Sequence, residues 1–307
     1  MSCPICGSDA FASYREVRSS VRTVPEGLDR GHFVHVRIER CRICGLFRTI
    51  HLSDRRSERE LYAEGSVSHN ASAAKVKAAG AQCASSTDEL EMLSVRPPAT
   101  LLDVGCGAGQ LLLRARFKGY HVEGIDPDLQ SVVFVEGALG IPARAGSFEL
   151  LDKDERFDII SMMGVLEHIN DPSRFLRAAC AHIRDGGEIL VGVPNVESLN
   201  RRLSRISRHD WDMFLEPGHL YHYGPATLRK LAWNVGLDMA RWSTATIAIR
   251  GKIPLLPTRI PTIERWVRSA VQSNDLVDGA YRALLRLFDR AHAGDMLFAV
   301  LRPRRSD

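Results

Sequence analysis

The segment from Leu101 to Phe117 restricts the fold of this chain more than any other stretch. Four residues that suit a buried strand run into Gly105, glycines recur at 107 and 109, and helical spacing resumes at Gln110. A turn of this kind between a strand and a helix lets the backbone approach a ligand closely. Gln110 stands where a dinucleotide-binding loop has its last glycine, so the loop favours a nucleoside ligand over a pyrophosphate.

The composition is that of an ordinary soluble globular protein. Of the 307 residues, 45% are hydrophobic and 25% are charged, which allows one large domain or a medium and a small one. The formal net charge of +4 is mild and does not by itself imply a nucleic-acid partner. No apolar run is long enough to span a bilayer and no apolar signal segment begins the chain, so we expect a cytoplasmic protein without a membrane partner.

Two copies of one cysteine motif stand within the first fifty residues. Each has two residues between its cysteines and a glycine after them; the cysteines are Cys3, Cys6, Cys41 and Cys44. The short gap lets both thiolates of a pair face one ion, and four soft ligands match tetrahedral zinc. A redox pair and a rubredoxin-type iron site are the alternatives. We predict a zinc-ribbon module over residues 1–60, with a strand at 32–38, whose closed ligand shell holds the fold and performs no chemistry.

Residues 61–98 form a predicted helical connector. Helices are expected at 71–84, which is rich in alanine and lysine, and at 88–93, before the prolines at 97 and 98 end the second one. Such helices either cover a ligand site or form a solvated linker. The main domain is then expected over residues 99–307.

Strands and helices alternate through the main domain. A second strand ends in Asp126, about twenty residues after the glycine loop, where a carboxylate holds a ribose diol. Further strands are predicted at 142–145, 157–163 and 188–195, and helices at 132–139 and 174–184. The order predicts a parallel sheet that binds its ligand at the carboxyl ends of the strands. Ser147 and Phe148, after the third strand, are candidates to frame an adenine.

An ordered set of motifs carries a family resemblance. It comprises Leu101–Gly109, Gly124–Asp126, Phe157-Asp158, Val165–His168, Asp171-Pro172 and Gly186–Asn195. Over about residues 97–243 the chain resembles the class I S-adenosylmethionine-dependent methyltransferases. The resemblance implies an α/β Rossmann-like fold with a seven-stranded mixed sheet, whose last strand enters antiparallel between the fifth and sixth.

The same resemblance implies roles for individual residues. Asp126 would hold the ribose, Ser147 and Phe148 would lie near the adenine, and Met163 would lie beside the cofactor. The methionine end would lie at Asp103, Gly105, Cys106, Gly107 and Gly109. Many relatives carry an acid at the position of Ser147. Ubiquinone-pathway O-methyltransferases carry a further metal-binding carboxylate at the position of Gly164, so we expect no catalytic metal at Glu167 and His168.

Histidines and tyrosines concentrate near the expected carboxyl edge of the sheet. His219 is a loop anchor or an active-site residue, and His222 is a candidate general base. Tyr221 and Tyr223 are candidates to line the acceptor pocket. His168, at the tip of the fourth strand, is a competing base or packs at a helix start with Glu167.

The C-terminal part is expected to complete the sheet with strands at 237–249 and 295–301. Between them, residues 262–292 form a predicted helical insertion with one apolar face. This face covers the acceptor pocket, forms a homodimer contact or packs on the domain.

Three functions are compatible with the sequence. The first is methyl transfer from S-adenosylmethionine to a small-molecule acceptor, a secondary-metabolite or sugar intermediate. Paired cysteine knuckles ahead of such a domain resemble deoxysugar C-methyltransferases and O-antigen-cluster enzymes. The second is an RNA methyltransferase that binds substrate through the zinc module, although no dense basic-aromatic stripe supports a nucleic-acid partner. The third is a cofactor-binding module without catalysis.

Overall fold

The computed structural model describes residues 2–20, 33–52, 88–204, 211–214, 216, 218–246, 283 and 285–304. The predicted helix at 71–84 and residues 262–282 of the predicted insertion lie outside this part of the chain. Residues 285–290, at the end of the insertion, are helical.

The strands come first in the chain and then alternate with helices. They are β1 (Phe11–Ser20), β2 (Phe33–Cys41), β3 (Phe47–His51), β4 (Thr100–Val104), β5 (His121–Asp126), β6 (Ala143–Ala145), β7 (Phe157–Met163), β8 (Ile183–Pro194), β9 (Tyr221–His222), β10 (Leu237–Ala245) and β11 (Met296–Pro303). The α-helices are α1 (Gln110–Phe117), α2 (Leu129–Phe134), α3 (Pro172–His182), α4 (Leu199–Ser204) and α5 (Pro225–Asn234). A π-helical turn follows α2 at Val135–Leu139, and 3-10 turns occupy Glu89–Met92, Phe148–Leu150, Leu166–His168 and Asp212–Phe214.

The large sheet has the predicted topology. Its order is β10-β11-β8-β7-β4-β5-β6, and β11 pairs antiparallel with both of its neighbours. The pairs β4–β5, β4–β7, β5–β6 and β7–β8 are parallel. The seven-stranded mixed sheet with an antiparallel strand between the fifth and sixth is therefore confirmed.

Both faces of this sheet are buried, which explains the apolar runs in its central strands. Leu102, Ile160 and Val191 belong to one hydrophobic core, and the preceding residues Leu101, Ile159 and Leu190 belong to the other. Successive strand residues point to opposite faces, and a parallel sheet covered by helices buries both of them. The helices start where the sequence provides caps, since the side chains of Asp128 and Asp171 accept backbone N–H bonds at the starts of α2 and α3.

The N-terminal module forms a second sheet that it shares with the main domain. The order is β1-β2-β3-β9, so the fourth strand comes from residues 221–222. The strand predicted at 32–38 corresponds to β2, whereas β1 was not predicted. The sheet of the module therefore extends into the main domain, because β3 pairs with residues 221–222.

None of the helices in the described part of the chain has the length and apolar character needed to cross a membrane.

Candidate active site

The glycine loop between β4 and α1 has a backbone that side chains would disrupt. Gly105, Gly107 and Gly109 have φ angles of 74°, 50° and 72°, in the left-handed region. A Cβ on Gly109 would lie 2.8 Å from Leu139 Cδ1, and a Cβ on Gly105 would overlap Val165, whereas no residue that the structure describes comes within 4 Å of a Cβ on Gly107. Packing therefore restricts the first and third glycines, and the second is the one at which the described residues leave room.

Asp126 holds this loop from the end of β5. Its Oδ2 accepts the Gly107 N–H at 2.7 Å, and its Oδ1 accepts the Asp128 N–H at 2.8 Å. The side chain is buried, and burial raises the pKa of Asp126 above its ordinary value although these two N–H bonds oppose the shift. The Asp126 carboxylate is thus fixed beside the glycine loop, as the sequence predicts.

Asp103 is buried at the end of β4. Its Oδ1 accepts the Ser161 hydroxyl at 2.7 Å. Burial raises the pKa of Asp103 to about 7, against the Ser161 hydrogen bond and with some help from the charge of Asp126. A cationic group at this position would favour the ionised carboxylate and lower that pKa again.

Cys106 and Met163, two further residues predicted at the cofactor site, pack against glycines of the neighbouring strands. Cys106 is buried, and its Sγ would lie 2.7 Å from a Cβ on Gly124, so its side chain faces the core and only its backbone belongs to the loop. Met163 is half-buried at the end of β7, and its Sδ would lie 2.9 Å from a Cβ on Gly192. Gly192 therefore provides the space that the Met163 side chain occupies.

The ring of Phe148, which we expected near an adenine, packs inside the protein. Its ring is buried and packs edge-on against Phe175, with centroids 5.0 Å apart, and parallel to His182 at 6.1 Å. Because these partners enclose the ring, an adenine contact at this position falls to the backbone and to Ser147, which is half-buried.

His222, a candidate base, and Tyr223, a candidate to line the acceptor pocket, are both enclosed by packing. His222 is 1% exposed, its Nε2 lies 2.9 Å from Thr49 Oγ1, and its ring lies 4.7 Å from that of Phe214. Tyr223 is fully buried, and its hydroxyl donates to the Leu166 carbonyl at 3.4 Å. Burial holds the pKa of His222 well below and that of Tyr223 well above the ordinary values. His222 joins the main domain to the module through Thr49 and Phe47.

The other two predicted histidines meet a carboxyl group that was not predicted as catalytic. His219 Nε2 lies 3.9 Å from Glu167 Oε1, and the rings of His168 and His219 are 4.7 Å apart. Burial raises the pKa of Glu167 to about 8, and burial with the charge of His219 lowers that of His168 to about 4. Glu167 Oε2 is buried and has no hydrogen-bond partner in the described part of the chain. Of the two alternatives for His168, the structure shows the packing beside Glu167, and the side chain is half-buried.

Backbone carbonyls orient both imidazoles. The Nδ1 atoms of His168 and His219 lie 2.8 Å from the Gly218 oxygen and 3.0 Å from the Met213 oxygen. A carbonyl only accepts, so we infer that each Nδ1 carries the proton and each Nε2 the basic lone pair. One ligand atom from each of Glu167, His168 and His219 lies within 4.8 Å of the others. The expectation of no metal considered only the segment that contains Gly164, and His219 supplies the third donor that this segment lacks.

The four cysteines of the N-terminal motifs also converge. Their sulfur atoms all lie within 4.8 Å of one another, with Cys3–Cys44 at 3.4 Å and Cys6–Cys41 at 3.5 Å. Gly7 and Gly45, which follow the pairs, have φ angles of 70° and 81°. This is the tight turn that the motif predicts.

Hydrogen bonds connect the module to the cluster of Glu167, His168 and His219. Thr49 N donates to the Leu220 carbonyl at 2.9 Å, and Leu220 N donates to the Glu167 carbonyl at 2.8 Å. Cys3, Ile5, Cys41 and Leu46 of the module share one hydrophobic core with the helices α3 and α5. Thr49 and Glu167 were not predicted in these roles from the sequence. The alternation of aromatic side chains at 219–223 is a pattern that could have predicted the strand β9.

We expect the buried histidines to lower the stability of the fold in acid. An unfolded histidine takes up its proton near pH 6.5, whereas in the fold His168 stays neutral to about pH 4 and burial holds the pKa of His222 well below its ordinary value. The histidine contribution to the free energy of unfolding therefore falls as the pH drops from 6.5 toward 4, by at most about 1.4 kcal/mol per pH unit for each histidine, while the raised pKa values of Asp103 and Glu167 act in the opposite direction. Urea unfolding of the wild type and of His222→Asn isolates the contribution of His222, and the stability of the wild type relative to this variant should fall as the pH drops. An NMR signal of the His222 ring that titrates near pH 6.5 would contradict this prediction.

Comparisons with known proteins agree with the geometry. A family model described as a methyltransferase domain matches residues 76–241, more than half of the chain. The ubiquinone biosynthesis O-methyltransferase of Bradyrhizobium sp. (strain ORS 278) is 32% identical over 140 residues, which cover 40% of this chain and 55% of that protein. That of Nitrobacter winogradskyi is 34% identical over 137 residues, covering 39% and 52%. The chain thus spans little more than half the length of these relatives.

A solved structure has the same fold. It belongs to a complex between the Haloferax volcanii Trm112 methyltransferase activator and a methyltransferase, and it superposes with a TM-score of 0.54 at 19% identity. The alignment covers 82% of this chain and 99% of that chain. With the family model spanning the glycine loop, Asp126 and the Glu167–His168 turn, the chain belongs to the class I S-adenosylmethionine-dependent methyltransferases.

Proposed function

We propose that this protein transfers a methyl group from S-adenosylmethionine to a small-molecule acceptor, a secondary-metabolite or sugar intermediate. The observation that carries the proposal is the placement of two sites at one edge of the sheet. The glycine loop with Asp126 lies at the carboxyl ends of β4 and β5, and the cluster of Glu167, His168 and His219 follows the carboxyl end of β7. The relatives' name, ubiquinone biosynthesis O-methyltransferase, favours a small acceptor and an oxygen nucleophile.

The cofactor half of the site would be held by the residues that the sequence assigned to it. Asp126 would accept the ribose hydroxyls, and Asp103 with the glycine loop would hold the methionine end. The sulfonium makes methyl transfer favourable, so the protein has to align the acceptor with the methyl group and remove one proton. Met163 ends β7, the strand that leads to Glu167 and His168, and would lie beside the cofactor.

The acceptor half would use His168 as the proton acceptor. With a pKa of about 4 it is neutral at pH 7, and its Nε2 carries the lone pair because Nδ1 is held on the Gly218 carbonyl. His219 and Glu167 lie behind it, and the raised pKa of Glu167 keeps a proton there at neutral pH. The cluster therefore adds no net charge before the acceptor loses its proton to His168.

A divalent metal at the same cluster is the alternative role. The residues fit such an ion, since two imidazoles and a carboxylate with an unpartnered oxygen are a donor set that leaves open positions. Backbone carbonyls orient both rings, as is usual for histidine ligands. When bound, the ion would lower the pKa of an acceptor hydroxyl. Glu167, His168 and His219 would then be its ligands.

Structural zinc is the proposed occupant of the four cysteines. Four thiolates and no other group complete a tetrahedral shell, so this ion would stabilise the module and take no part in transfer. Through β3 the module would hold the loop that carries His219.

The first prediction concerns the cofactor. Asp126→Ala should abolish S-adenosylmethionine binding measured by isothermal titration calorimetry. Asp103 must lose its proton to meet the cofactor's ammonium group, so with a pKa of about 7 the wild-type affinity should fall as the pH drops from 7 to 5.5. The limit is about tenfold per pH unit for one proton. Asp103→Asn should bind weakly without this slope, and the exposed Asp152→Asn serves as the control. A flat wild-type profile would remove the assignment of Asp103.

The second prediction concerns turnover. His168→Ala, His219→Ala and Glu167→Gln should each lower kcat by about 10² to 10⁴ while the cofactor affinity stays constant. His121→Ala, at the exposed amino end of β5, is the matched control. Acceptors come from a mass-shift screen of metabolite and nucleotide-sugar pools. Full activity of all three variants would place the base elsewhere.

Chelation separates the two roles of this cluster. If a metal acts there, dialysis against EDTA abolishes turnover, Mg²⁺ restores it, and His219→Ala loses Mn²⁺ binding measured by electron paramagnetic resonance. If His168 is the base, turnover survives dialysis as long as the zinc content is retained.

The third prediction concerns the module. Elemental analysis should find about one zinc per chain. Thr49→Val should lower kcat about tenfold with unchanged zinc content and cofactor affinity, because it leaves the buried His222 without its partner. Ser13→Ala, exposed on β1, is the control. Full turnover of Thr49→Val would contradict the prediction that the module affects methyl transfer through Thr49.

A further inference from the structure

A cleft of about 500 Å³ lies between the second cysteine motif and the start of α5. Arg40 and Gly45 line it from the module, and Arg201 and Arg202 line it from α4. Tyr14 and Phe47 complete its aromatic side. The roles assigned so far to the cofactor loop and the histidine cluster use none of these side chains.

The three arginines of this cleft have no carboxylate partner in the described part of the chain. Elsewhere arginines of the module pair with acids, as Arg37 does with Glu16 and Arg48 does with Glu39. Within the cleft, Arg40 lies over the Phe47 ring at 5.5 Å, and Arg201 donates to the Tyr14 hydroxyl at 3.2 Å. Arg202 is exposed. These contacts position the guanidinium groups without neutralising them.

The charge balance of the cleft is positive. Glu197 is the carboxylate that lines it, so three arginines and one glutamate leave an excess of two positive charges. Its side chain lies against Gly224, where a Cβ would approach its Oε1 to 2.6 Å, and it forms no ion pair with the arginines. Guanidinium groups in this arrangement suit phosphate oxygens, which they bind through paired N–H donors.

The cleft lies within reach of the reacting centre. Glu197 follows Gly192 by five residues, and Gly192 pairs with Met163 at the end of β7. Five residues span at most about 17 Å. A metabolite that extends from the methyl group can therefore place a distal group among the arginines.

We propose that this cleft binds a phosphate or diphosphate group of the methyl acceptor. The inference rests on the proposed function and narrows it to acceptors that are phosphorylated or linked to a nucleotide. Arg40 and Arg202 bind the anion, and Arg201, held by Tyr14 and the Val196 carbonyl, fixes one wall of the cleft.

Isothermal titration of the full-length, zinc-loaded protein with inorganic pyrophosphate tests the inference directly. We expect Arg40→Gln/Arg202→Gln to weaken pyrophosphate binding at least tenfold, with unchanged S-adenosylhomocysteine affinity and zinc content. Arg156→Gln is the matched control, because Arg156 is exposed and immediately precedes β7 at the opposite edge of the sheet. In the mass-shift screen, the wild-type products should carry phosphate and the double variant should lose them.

Several outcomes overturn the inference. One is a wild-type protein that does not bind pyrophosphate at millimolar concentration, and another is an equal loss of pyrophosphate affinity in Arg156→Gln. A third is loss of zinc from the double variant, which would assign Arg40 to the cysteine site. Tighter binding of single-stranded RNA with a steep salt dependence would replace a metabolite by a nucleic acid. Methylated products without phosphate would refute the inference and leave methyl transfer intact. A protein that binds pyrophosphate and does not bind S-adenosylmethionine would refute the proposed function instead.

Discussion

The pairing of β3 with β9 is the contact on which the acceptor side depends. β9 has only two residues, and a strand this short is not stable without a partner strand. Its partner β3 begins three residues after Cys44. The short backbone segment from Cys44 through β3 therefore connects the cysteine site to the loop that carries His219. Thr49 Oγ1 hydrogen-bonds with His222 Nε2, and the backbone of Leu220 bonds to that of both Thr49 and Glu167. A change in the module would thus reach Glu167 and His219 through directly bonded groups.

In the part of the chain that the structure describes, the residues assigned to the cofactor are held by contacts within the main domain. Asp126 anchors the Gly107 amide, Asp103 is held by Ser161 of the neighbouring strand, and Gly109 packs against the π-helical turn. None of these contacts involves the N-terminal module. Under the proposed function the two halves of the site would therefore be separable: the module would affect acceptor chemistry, and the large sheet would determine cofactor binding. This division is the reason that variants of the two sides should affect different measurements.

Most of the main domain could be predicted from local patterns. Buried parallel strands are apolar along their length, caps such as Asp171-Pro172 mark helix starts, and the glycines of 105–109 have a conformational reason to be there. The predicted bounds of α1 agree with the structure, and those of the strands from β4 to β8 differ by a few residues. The cysteine spacing likewise led to a four-sulfur cluster, since the two-residue gap is a local constraint.

Long-range contacts could not be predicted in this way. The burial of His222 and Tyr223 follows from a strand pairing across some 170 residues, which no local pattern specifies. His219 joins Glu167 and His168 for the same reason. The ring of Phe148 packs on Phe175 and His182, which belong to a helix that follows much later in the chain. In each case the residue was found from its type and neighbourhood, whereas its role depends on a partner brought in by the fold.

The central claim is that the cluster of Glu167, His168 and His219 faces the methyl group of the cofactor. A crystal structure of the zinc-loaded protein with S-adenosylhomocysteine measures this directly. An acceptor atom must lie about 3 Å from the methyl group and about 3 Å from its base, so we predict that His168 Nε2 lies within about 8 Å of the cofactor sulfur. A sulfur atom farther than this, or one screened from His168 by the packed core, would contradict the account.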